Sequence, residues 1–338
     1  MSREKIGGRY RCMLAAFIVA LAFFFATSSI LYAVSKPKDF PTRPITIIVP
    51  YGAGGGSDQL TRAFAAALEK VVGVPIIVVN KPGGGGVAGL SDFFMAPPDG
   101  YTLIEHIDDA ATLYAAGKIK ENPAEDWFPL AICQITFSQL YVRPDDERFP
   151  DWNAFLKYAK EHPGKLTIAN VAHKGSMERV VMYQLMEALD FKVTQISFDK
   201  PTERYGALVG GHVDALFEQP GDVRRYIEAG KMKPILTMLN ERPSAFPDTP
   251  CYKDIGINLK PLYRFRGFFI RKGVPEDRVK WLEECCKKAF DSESFQKFNR
   301  SKYMHLINSY RDIEGGKKLI QETIDTYRAF YKKLGLIK

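Results

Sequence analysis

Cysteine is scarce in this sequence, and the few cysteines form no recognisable site. The 338 residues include five cysteines, and their spacing matches no zinc-binding pattern. Cys12 precedes an apolar run, so it is not placed like a lipidated cysteine. For Cys133, Cys251, Cys285 and Cys286 we expect buried or unpaired thiols, and a disulfide between Cys133 and Cys251 stays open in an oxidising compartment. We therefore predict no metal site.

Several other patterns are missing as well. No run of lysine and arginine alternates with stacking aromatic residues, no repeat of solenoid length is visible, and no glycine-rich turn ends in the lysine and serine or threonine of a P-loop. Hydrophobic residues make up 46% of the chain and charged residues 25%, as in ordinary globular proteins. The net charge of the full chain is +8. Without residues 1–33 it is about +5, a modest excess that favours a small anion as the partner. We expect no nucleic acid.

The N-terminal segment differs from the rest of the chain. Basic residues from Arg3 to Arg11 precede an uncharged apolar stretch at residues 13–26, and small and polar residues follow as far as Ala33. This order is typical of a secretory signal peptide, which we predict over residues 1–33, with the mature protein in the periplasm. An uncleaved anchor helix is the alternative, because residues 13–34 carry no charge and could cross a bilayer.

Short apolar runs alternate with helical patterns along the remaining chain. PITIIVP at residues 44–50 predicts a buried strand, a helix follows with Ser57 as its N-cap, and VPIIVVN at residues 74–80 predicts a second strand. A further set of alternating strands and helices follows residue 150. This alternation predicts an α/β fold of mostly parallel sheets flanked by helices, and the chain length predicts two lobes.

Two glycine-rich turns follow the first two predicted strands. The first lies in VPYGAGGGSDQLTR, residues 49–62, and the second in KPGGGGVAG, residues 81–89. Ligands of open α/β sheets bind at the carboxyl ends of strands, where helix N-termini present unpaired amides. We therefore expect the amides of residues 53–56 and 83–86 to bind a carboxylate. The alternatives are two tight connections without a ligand, or a nucleotide site, which Asn80 disfavours because an acidic ribose partner is expected there.

Several motifs together resemble one family over nearly the whole mature chain. They include RPITIIVPYGAGGGSDQLTR, VPIIVVNKPGGGGVAG, PPDGYTL, EDWFPL, HPGKLTIAN, ALVGGHVDALFE, ERPSAFPDTPCYKDIG and GVPEDRV. In this order they resemble the extracytoplasmic solute receptors of tripartite tricarboxylate transporters, also called Bug receptors. The resemblance implies a periplasmic binding protein of the Venus-flytrap, type II-like architecture. Such a protein binds a small organic carboxylate between two lobes, needs no cofactor, and delivers the ligand to the membrane subunits of the transporter. We expect a monomer.

The resemblance also implies how the chain is divided. Lobe 1 is expected to contain residues 34–137 and 264–338, and lobe 2 residues 138–263. The crossings between them are expected near residues 137–142 and 264–270. Two extended crossings allow the lobes to hinge and close on a ligand.

Ligand-binding residues carry over from the family by matching position. The resemblance implies Tyr51, Ala53, Gly54, Gly55, Ser57 and Asp58 in the first turn, Gly85, Gly86 and Val87 in the second, and Gly175 and Ser176 in lobe 2.

Two segments near the expected cleft depart from the family, which generally has small residues there. They contain Glu105, His106, Asp108 and Asp109, and then His173 and Lys174. We expect His173 or Lys174 to bind a distal carboxylate, and Asp108 or Glu218 to accept a hydrogen bond from a hydroxyl or an amine. The alternatives for His106 and Asp108 are an acid–base pair, half of a metal site, or a solvated loop.

Two other functions stay open on the sequence alone. A sensory receptor would use the same binding chemistry and present its closed form to a signalling protein. A hydrolase would need a nucleophile with an oriented base, and the five histidines offer no such arrangement. We therefore predict no catalytic residues.

Overall fold

A computed structural model describes residues 34–171 and 175–337. The signal peptide predicted over residues 1–33 lies outside the described residues, and so do His173 and Lys174. Within the described ranges, no helix has both the length and the apolar character needed to cross a membrane.

The first of two five-stranded sheets is built mainly from the N-terminal part of the chain. Its strands are β1 (Ile45–Val49), β2 (Ile76–Asn80), β3 (Thr102–Ile107), β4 (Trp127–Thr136) and β10 (Arg264–Arg271). Their order is β2-β1-β3-β10-β4. β1 pairs in parallel with β2 and β3, whereas β10 runs antiparallel to both of its neighbours. We call this sheet and the helices packed on it the first lobe.

The second sheet repeats the plan of the first. Its strands are β5 (Gln139–Val142), β6 (Thr167–Val171), β7 (Thr194–Phe198), β8 (Ala215–Glu218) and β9 (Lys233–Thr237). The order is β7-β6-β8-β5-β9, with β6 parallel to β7 and β8, and β5 antiparallel to β8 and β9. This sheet with its helices is the second lobe. The predicted α/β fold with helices flanking the sheets is confirmed. Both sheets are mixed, because two of the four strand pairings in each are parallel and two are antiparallel.

Ten α-helices flank the sheets in the described part of the chain. They are α1 (Gly56–Val72), α2 (Val87–Met95), α3 (Asp109–Ala115), α4 (Trp152–Glu161), α5 (Met177–Leu189), α6 (Pro201–Val209), α7 (Pro220–Glu228), α8 (Glu276–Asp291), α9 (Glu293–Ser301) and α10 (Ile313–Lys333). The sequence reasoning missed α3 and α9.

Helix α1 shows why these patterns fold as they do. Leu60, Phe64 and Leu68 recur every four residues, so they share one face, and all three are fully buried. The ring of Phe64 stacks on Phe268 of β10 with 4.2 Å between ring centroids. The prediction of Ser57 as N-cap was wrong: the helix starts at Gly56, two residues earlier than expected, and Gly55 is the N-cap.

The crossings between the lobes differ from the prediction in one place. The chain leaves β4 at Thr136 and enters β5 at Gln139, so the first crossing is as short as Phe137 and Ser138. The second crossing, expected near residues 264–270, was misplaced. Those residues form β10 in the middle of the first sheet, because RFRGFFIR has the aromatic content of a strand, and the chain returns through residues 238–263.

The four cysteines of the described chain are all buried and unpaired. The alternative of a disulfide between Cys133 and Cys251 is therefore wrong for this structure. Burial raises the pKa of both thiols. They act as small buried side chains and not as reactive groups.

Candidate ligand-binding cleft

The first glycine turn joins β1 to α1 and is held by Asp58. The Gly54 amide donates to Asp58 Oδ2 at 2.9 Å, and Arg62 pairs with Asp58 Oδ1 at 2.9 Å. Burial opposes ionisation, but these hydrogen bonds from Arg62 and Gly54 lower the pKa of Asp58. Gly54 has φ of +80°, which favours glycine. Ala53 and Gly54 are exposed at the tip of the turn.

The N-terminus of α1 lies directly against the second lobe. A Cβ atom on Gly55 would lie 2.7 Å from Pro201 Cγ, and one on Gly56 would overlap the Arg266 guanidinium and the Asp222 carboxylate. Any larger residue would therefore push the lobes apart. Glycine is needed here for close approach, not for an unusual φ.

The second glycine turn meets the first near Tyr51 and His106. Gly86 has φ of +102°, and a Cβ atom there would lie 3.0 Å from the Tyr51 hydroxyl and 3.1 Å from His106 Nε2. The Tyr51 hydroxyl lies 3.3 Å from His106 Nδ1. Gly85 is buried beside Gly86, and Val87 is exposed at the start of α2. The predicted residues of both turns thus come together at one end of the first sheet.

A cavity of ≈ 50 Å³ lies between the two lobes. Tyr51, Gly55, Ser57 and Glu218 are predicted site residues that line it. Pockets for small organic ligands usually enclose roughly 300–1,000 Å³. The cleft is therefore closed in this conformation and would have to open to admit an organic acid.

Three buried arginines also line this cavity, and the sequence reasoning missed all of them. They are Arg204, Arg264 and Arg266. Arg264 and Arg266 are two residues apart on β10, so both side chains point to the same face of the sheet. Arg264 and Arg266, at alternate positions in a strand that also contains three phenylalanines, were the available signal.

Each buried arginine binds carboxylates, and two of them connect the lobes. Arg264 donates to Asp108 of the first lobe at 2.6 Å and pairs with Glu178 of α5 in the second. Arg266 pairs with Asp222 of α7 in the second lobe. Within the second lobe, Arg204 pairs with Glu218. Asp108 and Glu218, expected to contact the ligand directly, are thus engaged by arginines here.

The acidic segment from Glu105 to Asp109 is buried, so the alternative of a solvated loop is wrong. Glu105 and His106 lie within β3, Asp109 begins α3, and these three and Asp108 are all fully buried. Burial raises the pKa of Glu105 to about 8 against the opposing charge of Arg266. Burial, together with Asp109 and Glu178, also raises the pKa of Asp108, although Arg264 opposes the shift.

The acid–base and metal alternatives for this segment gain no support. His106 contacts Tyr51 and packs edge-on against Trp127 with 5.5 Å between ring centroids, whereas Asp108 pairs with Arg264. Among the residues that the structure describes, no group of three or more histidine, cysteine, aspartate or glutamate side chains could hold a metal ion.

The turn before α5 borders a wider opening at the edge of the cleft. The Gly175 carbonyl accepts a hydrogen bond from the Tyr331 hydroxyl at 2.6 Å. Ser176 is the N-cap of α5, but its side chain does not cap the helix. The groove beside it has a volume of ≈ 600 Å³ and includes Gly84, Val87 and Gly175 in its walls.

Similar proteins share this sequence over most of its length. The chain matches the model of the family described as "Tripartite tricarboxylate transporter family receptor" over residues 60–336. A UPF0065 protein of Cupriavidus necator is 32% identical over 314 residues, which are 90% of this chain and 92% of that protein. The chain belongs to this receptor family. The family predicted from the sequence motifs is thereby confirmed.

Solved structures agree with the fold of the receptor. A TctC solute-binding protein from Polaromonas, solved without a ligand, is 28% identical with a TM-score of 0.63, and the match covers 87% of the receptor and 99% of that chain. MatC from Rhodopseudomonas palustris, solved with bound malate, is 26% identical with a TM-score of 0.76, over 86% of the receptor and 99% of that chain. The receptor thus has the fold of a periplasmic binding protein.

Proposed function

We propose that this receptor acts in the periplasm, binds a small organic carboxylate between its lobes, and delivers it to the membrane subunits of a tripartite tricarboxylate transporter. One observation carries the proposal: Tyr51 and the N-terminus of α1 line a closed cavity whose other wall comes from the second lobe. MatC, which has the same fold and binds malate, supports the ligand class.

The physical basis is the attraction of backbone amides for an anion. Hydrogen bonds to an ionised partner contribute roughly 1.5 to 3 kcal/mol each, and a helix N-terminus adds about 0.3 to 1 kcal/mol. Three or four such interactions approach the roughly 8 kcal/mol that micromolar binding requires, before the costs of desolvation and closure are subtracted. No reactive side chain or metal is needed.

We assign the contacts by position in the cleft. Tyr51, Gly55 and Ser57 face the cavity and are proposed to bind the ligand carboxylate. Val87 and Gly175 line the wider groove together, and we propose that Gly85, Gly86, Val87, Gly175 and Ser176 also bind the ligand, with His173 or Lys174 binding a distal carboxylate. Asp58 is proposed to stabilise the first glycine turn and not to contact the ligand, because its carboxylate already accepts a hydrogen bond from the Gly54 amide.

The lobes must separate for a ligand to enter, and the ligand then favours their closure. A ligand shifts an equilibrium between open and closed forms only as far as it prefers the closed form. Contacts from both lobes give that preference. The closed surface is then what the membrane subunits would recognise.

Calorimetry on the purified receptor tests the ligand class directly. The panel contains malate, succinate, adipate, citrate, aspartate and glucose, with glucose as the uncharged control. At least one acid is expected to bind with a Kd in the micromolar range, and glucose is not. Binding of glucose with no binding of any acid would contradict the proposal.

A matched pair of glycine variants tests the position of the site. Gly86→Ala and Gly164→Ala both place a methyl group at positive φ, but only Gly86 faces Tyr51 and His106, while Gly164 has open space around it. Both should lose about 1 to 2 kcal/mol of stability through backbone strain. Only Gly86→Ala should weaken acid binding, by about tenfold or more. Equal affinities for the two variants would place the ligand elsewhere.

Delivery and turnover need separate measurements. Proteoliposomes that contain the transporter's membrane subunits should take up labelled acid only when the receptor is added. Mass spectrometry should recover the bound acid unchanged after prolonged incubation. A sensory role would be favoured if uptake did not depend on the receptor and the closed receptor activated a signalling protein. Chemical conversion of the bound acid would indicate an enzyme.

A further inference from the structure

Arg266 differs from the other two buried arginines in where its acidic partner lies. Arg204 pairs within the second lobe, and Arg264 pairs with Asp108 of its own lobe. Arg266 belongs to the first lobe, whereas Asp222, with which it pairs, belongs to the second. Among the described residues, Arg266 is therefore the one buried arginine of the three that loses its ion-pair partner when the lobes separate.

The first turn of α7 carries Asp222 to the first lobe. Asp222 is the third residue of this helix and is 5% exposed. A Cβ atom on the preceding Gly221 would overlap the backbone carbonyl of Lys302, and Arg224 donates to the Ser301 carbonyl at 2.7 Å. These contacts hold the start of α7 against the first lobe, so the Asp222 carboxylate enters the cavity wall from the opposite side.

The Asp222 carboxylate lies at the N-terminus of α1. A Cβ atom on Gly56, the first residue of α1, would overlap both the Asp222 carboxylate and the Arg266 guanidinium. All three residues line the closed cavity. The N-cap of α1, Gly55, provides no side-chain hydrogen bond to the first amides. Unpaired amides and the helix dipole stabilise a negative charge at such a position, so Asp222 occupies the place where α1 attracts an anion.

The Arg266 guanidinium is held in place by its own lobe. Its Nη1 donates to Gln134 Oε1 at 3.1 Å, and Gln134 in turn donates to Asn299 at 3.0 Å. Nε of Arg266 has no acceptor among the described residues, although the side chain is buried. Burial raises the pKa of the nearby Glu105 to about 8, so this carboxyl is largely protonated at pH 7 and leaves the charge of Arg266 uncompensated. The open first lobe thus presents a positioned cation beside a helix N-terminus.

We propose that Arg266 binds the carboxylate of the ligand, and that Asp222 takes the same place in the closed form. The inference rests on the proposed function, because the N-terminus of α1 is the proposed carboxylate site. The two carboxylates exclude each other, because the closed cavity of ≈ 50 Å³ has no room for an organic acid and like charges at one guanidinium repel. Asp222 is thus an internal competitor that lowers the affinity of the receptor for acids.

A purely structural ion pair would have the opposite effect on binding. If Asp222 only held the lobes together, its loss would favour the open form and would weaken the closed complex with the acid. Removal of a competitor, in contrast, strengthens acid binding. The sign of the change in affinity therefore distinguishes the two roles.

The variant Asp222→Asn removes the competing charge and keeps the size of the side chain. Calorimetry at about pH 7 with malate, succinate, adipate, citrate and aspartate should give a lower Kd than for the unaltered receptor, by about tenfold for each acid that binds. Glu187→Gln is the matched control, because Glu187 of α5 also pairs across the lobes, with Lys333 of α10 at 2.8 Å, but is exposed. It should leave the affinities unchanged. An equal or weaker affinity in Asp222→Asn, or an equal gain in both variants, would overturn the inference.

A second substitution tests whether Arg266 itself binds the acid. In the Asp222→Asn background the internal ion pair is already gone, so Arg266→Met removes only the cation that faces the ligand. Its addition should raise the Kd by about tenfold or more relative to Asp222→Asn alone. An unchanged Kd would show that Arg266 does not contact the carboxylate.

The outcomes distinguish this inference from the function on which it rests. If the acids bind the unaltered receptor and Asp222→Asn does not bind them more tightly, only the competitor role is refuted. If no acid binds either protein, the proposed function itself is refuted. Asp222→Ser is a second uncharged variant with the same expected gain, so a folding defect in Asp222→Asn leaves the test intact.

Discussion

At the scale of single residues, Glu105 makes the stability of the folded protein depend on pH. Its carboxyl group is fully buried on β3, and burial raises its pKa to about 8 although Arg266, Ser57 and Arg264 all oppose the shift. Asp222 of the opposite lobe raises it further. The folded protein therefore keeps a proton on Glu105 that the unfolded chain releases above its ordinary pKa of 4.5.

This difference predicts how stability changes with pH. Between about pH 4.5 and pH 8 the folded state binds the additional proton, so the contribution of Glu105 to stability falls as pH rises, by up to about 1.4 kcal/mol per pH unit. Glu105→Gln removes that slope. Urea unfolding at pH 5 and pH 8 should show a larger gain in stability for the variant at pH 8, and Glu187→Gln should show none. A gain of the same size at both pH values would mean that the carboxyl is ionised throughout.

At the scale of elements, the start of α1 decides how closely the lobes approach. Gly55 and Gly56 leave room for Pro201, Asp222 and the guanidinium of Arg266, which occupy the space of a side chain. The helix can thus present its first amides to the cavity while the second lobe covers it. Glycine lowers the helix propensity at these positions, but its lack of a side chain allows the lobes to come into contact.

A pair of alanine substitutions tests this requirement. Gly56→Ala should hold the lobes apart, because a methyl group there overlaps the Arg266 and Asp222 side chains. We expect weaker ligand binding by about tenfold and a larger radius of gyration in small-angle X-ray scattering. Gly206→Ala lies inside α6 with open space around it and should raise stability by about 0.5 to 1 kcal/mol without changing either measurement. An unchanged radius and affinity in Gly56→Ala would show that the lobes adjust without opening.

At the scale of the whole molecule, buried ion pairs connect the lobes in the closed form. Arg264 reaches Glu178, and Arg266 reaches Asp222, and all four side chains are nearly or fully buried. Breaking one partner of a buried pair costs about 3 to 5 kcal/mol, because the remaining charge is left unpaired. Opening the cleft exposes these charges to water, which lowers that cost.

A double-mutant cycle measures this connection. Arg266→Met alone leaves Asp222 buried without its cation and should shift the protein towards the open form. The double variant Arg266→Met, Asp222→Asn should regain most of the closed population, because no unpaired charge is left. Scattering and unfolding measurements on the two single variants and the double variant give the coupling energy. Additive effects would show that the two side chains do not interact across the cleft.

Much of this architecture could be predicted from the sequence, because periodicity is a local property. PITIIVP and VPIIVVN predicted β1 and β2, and the glycine turns predicted the edge at which the cleft lies. The arginines were missed because their roles depend on distant partners: Arg264 binds residues 156 and 86 positions away. Sequence spacing shows no such contacts, and β10 enters the first sheet only after the chain has built the second.

The position of β10 has an evolutionary consequence. This strand pairs with β3 and β4 while it carries Arg264 and Arg266 into the cleft, and its pairing with β4 already includes two irregularities of register. Insertion or deletion of one residue ahead of Arg264 would turn the strand over and place Phe265 and Gly267 at the cavity. One such insertion or deletion would replace the arginines of the cavity wall by uncharged residues, while the sheet itself would remain. A one-residue slip of β10 would therefore change the chemistry of the cavity wall without changing the order of the strands.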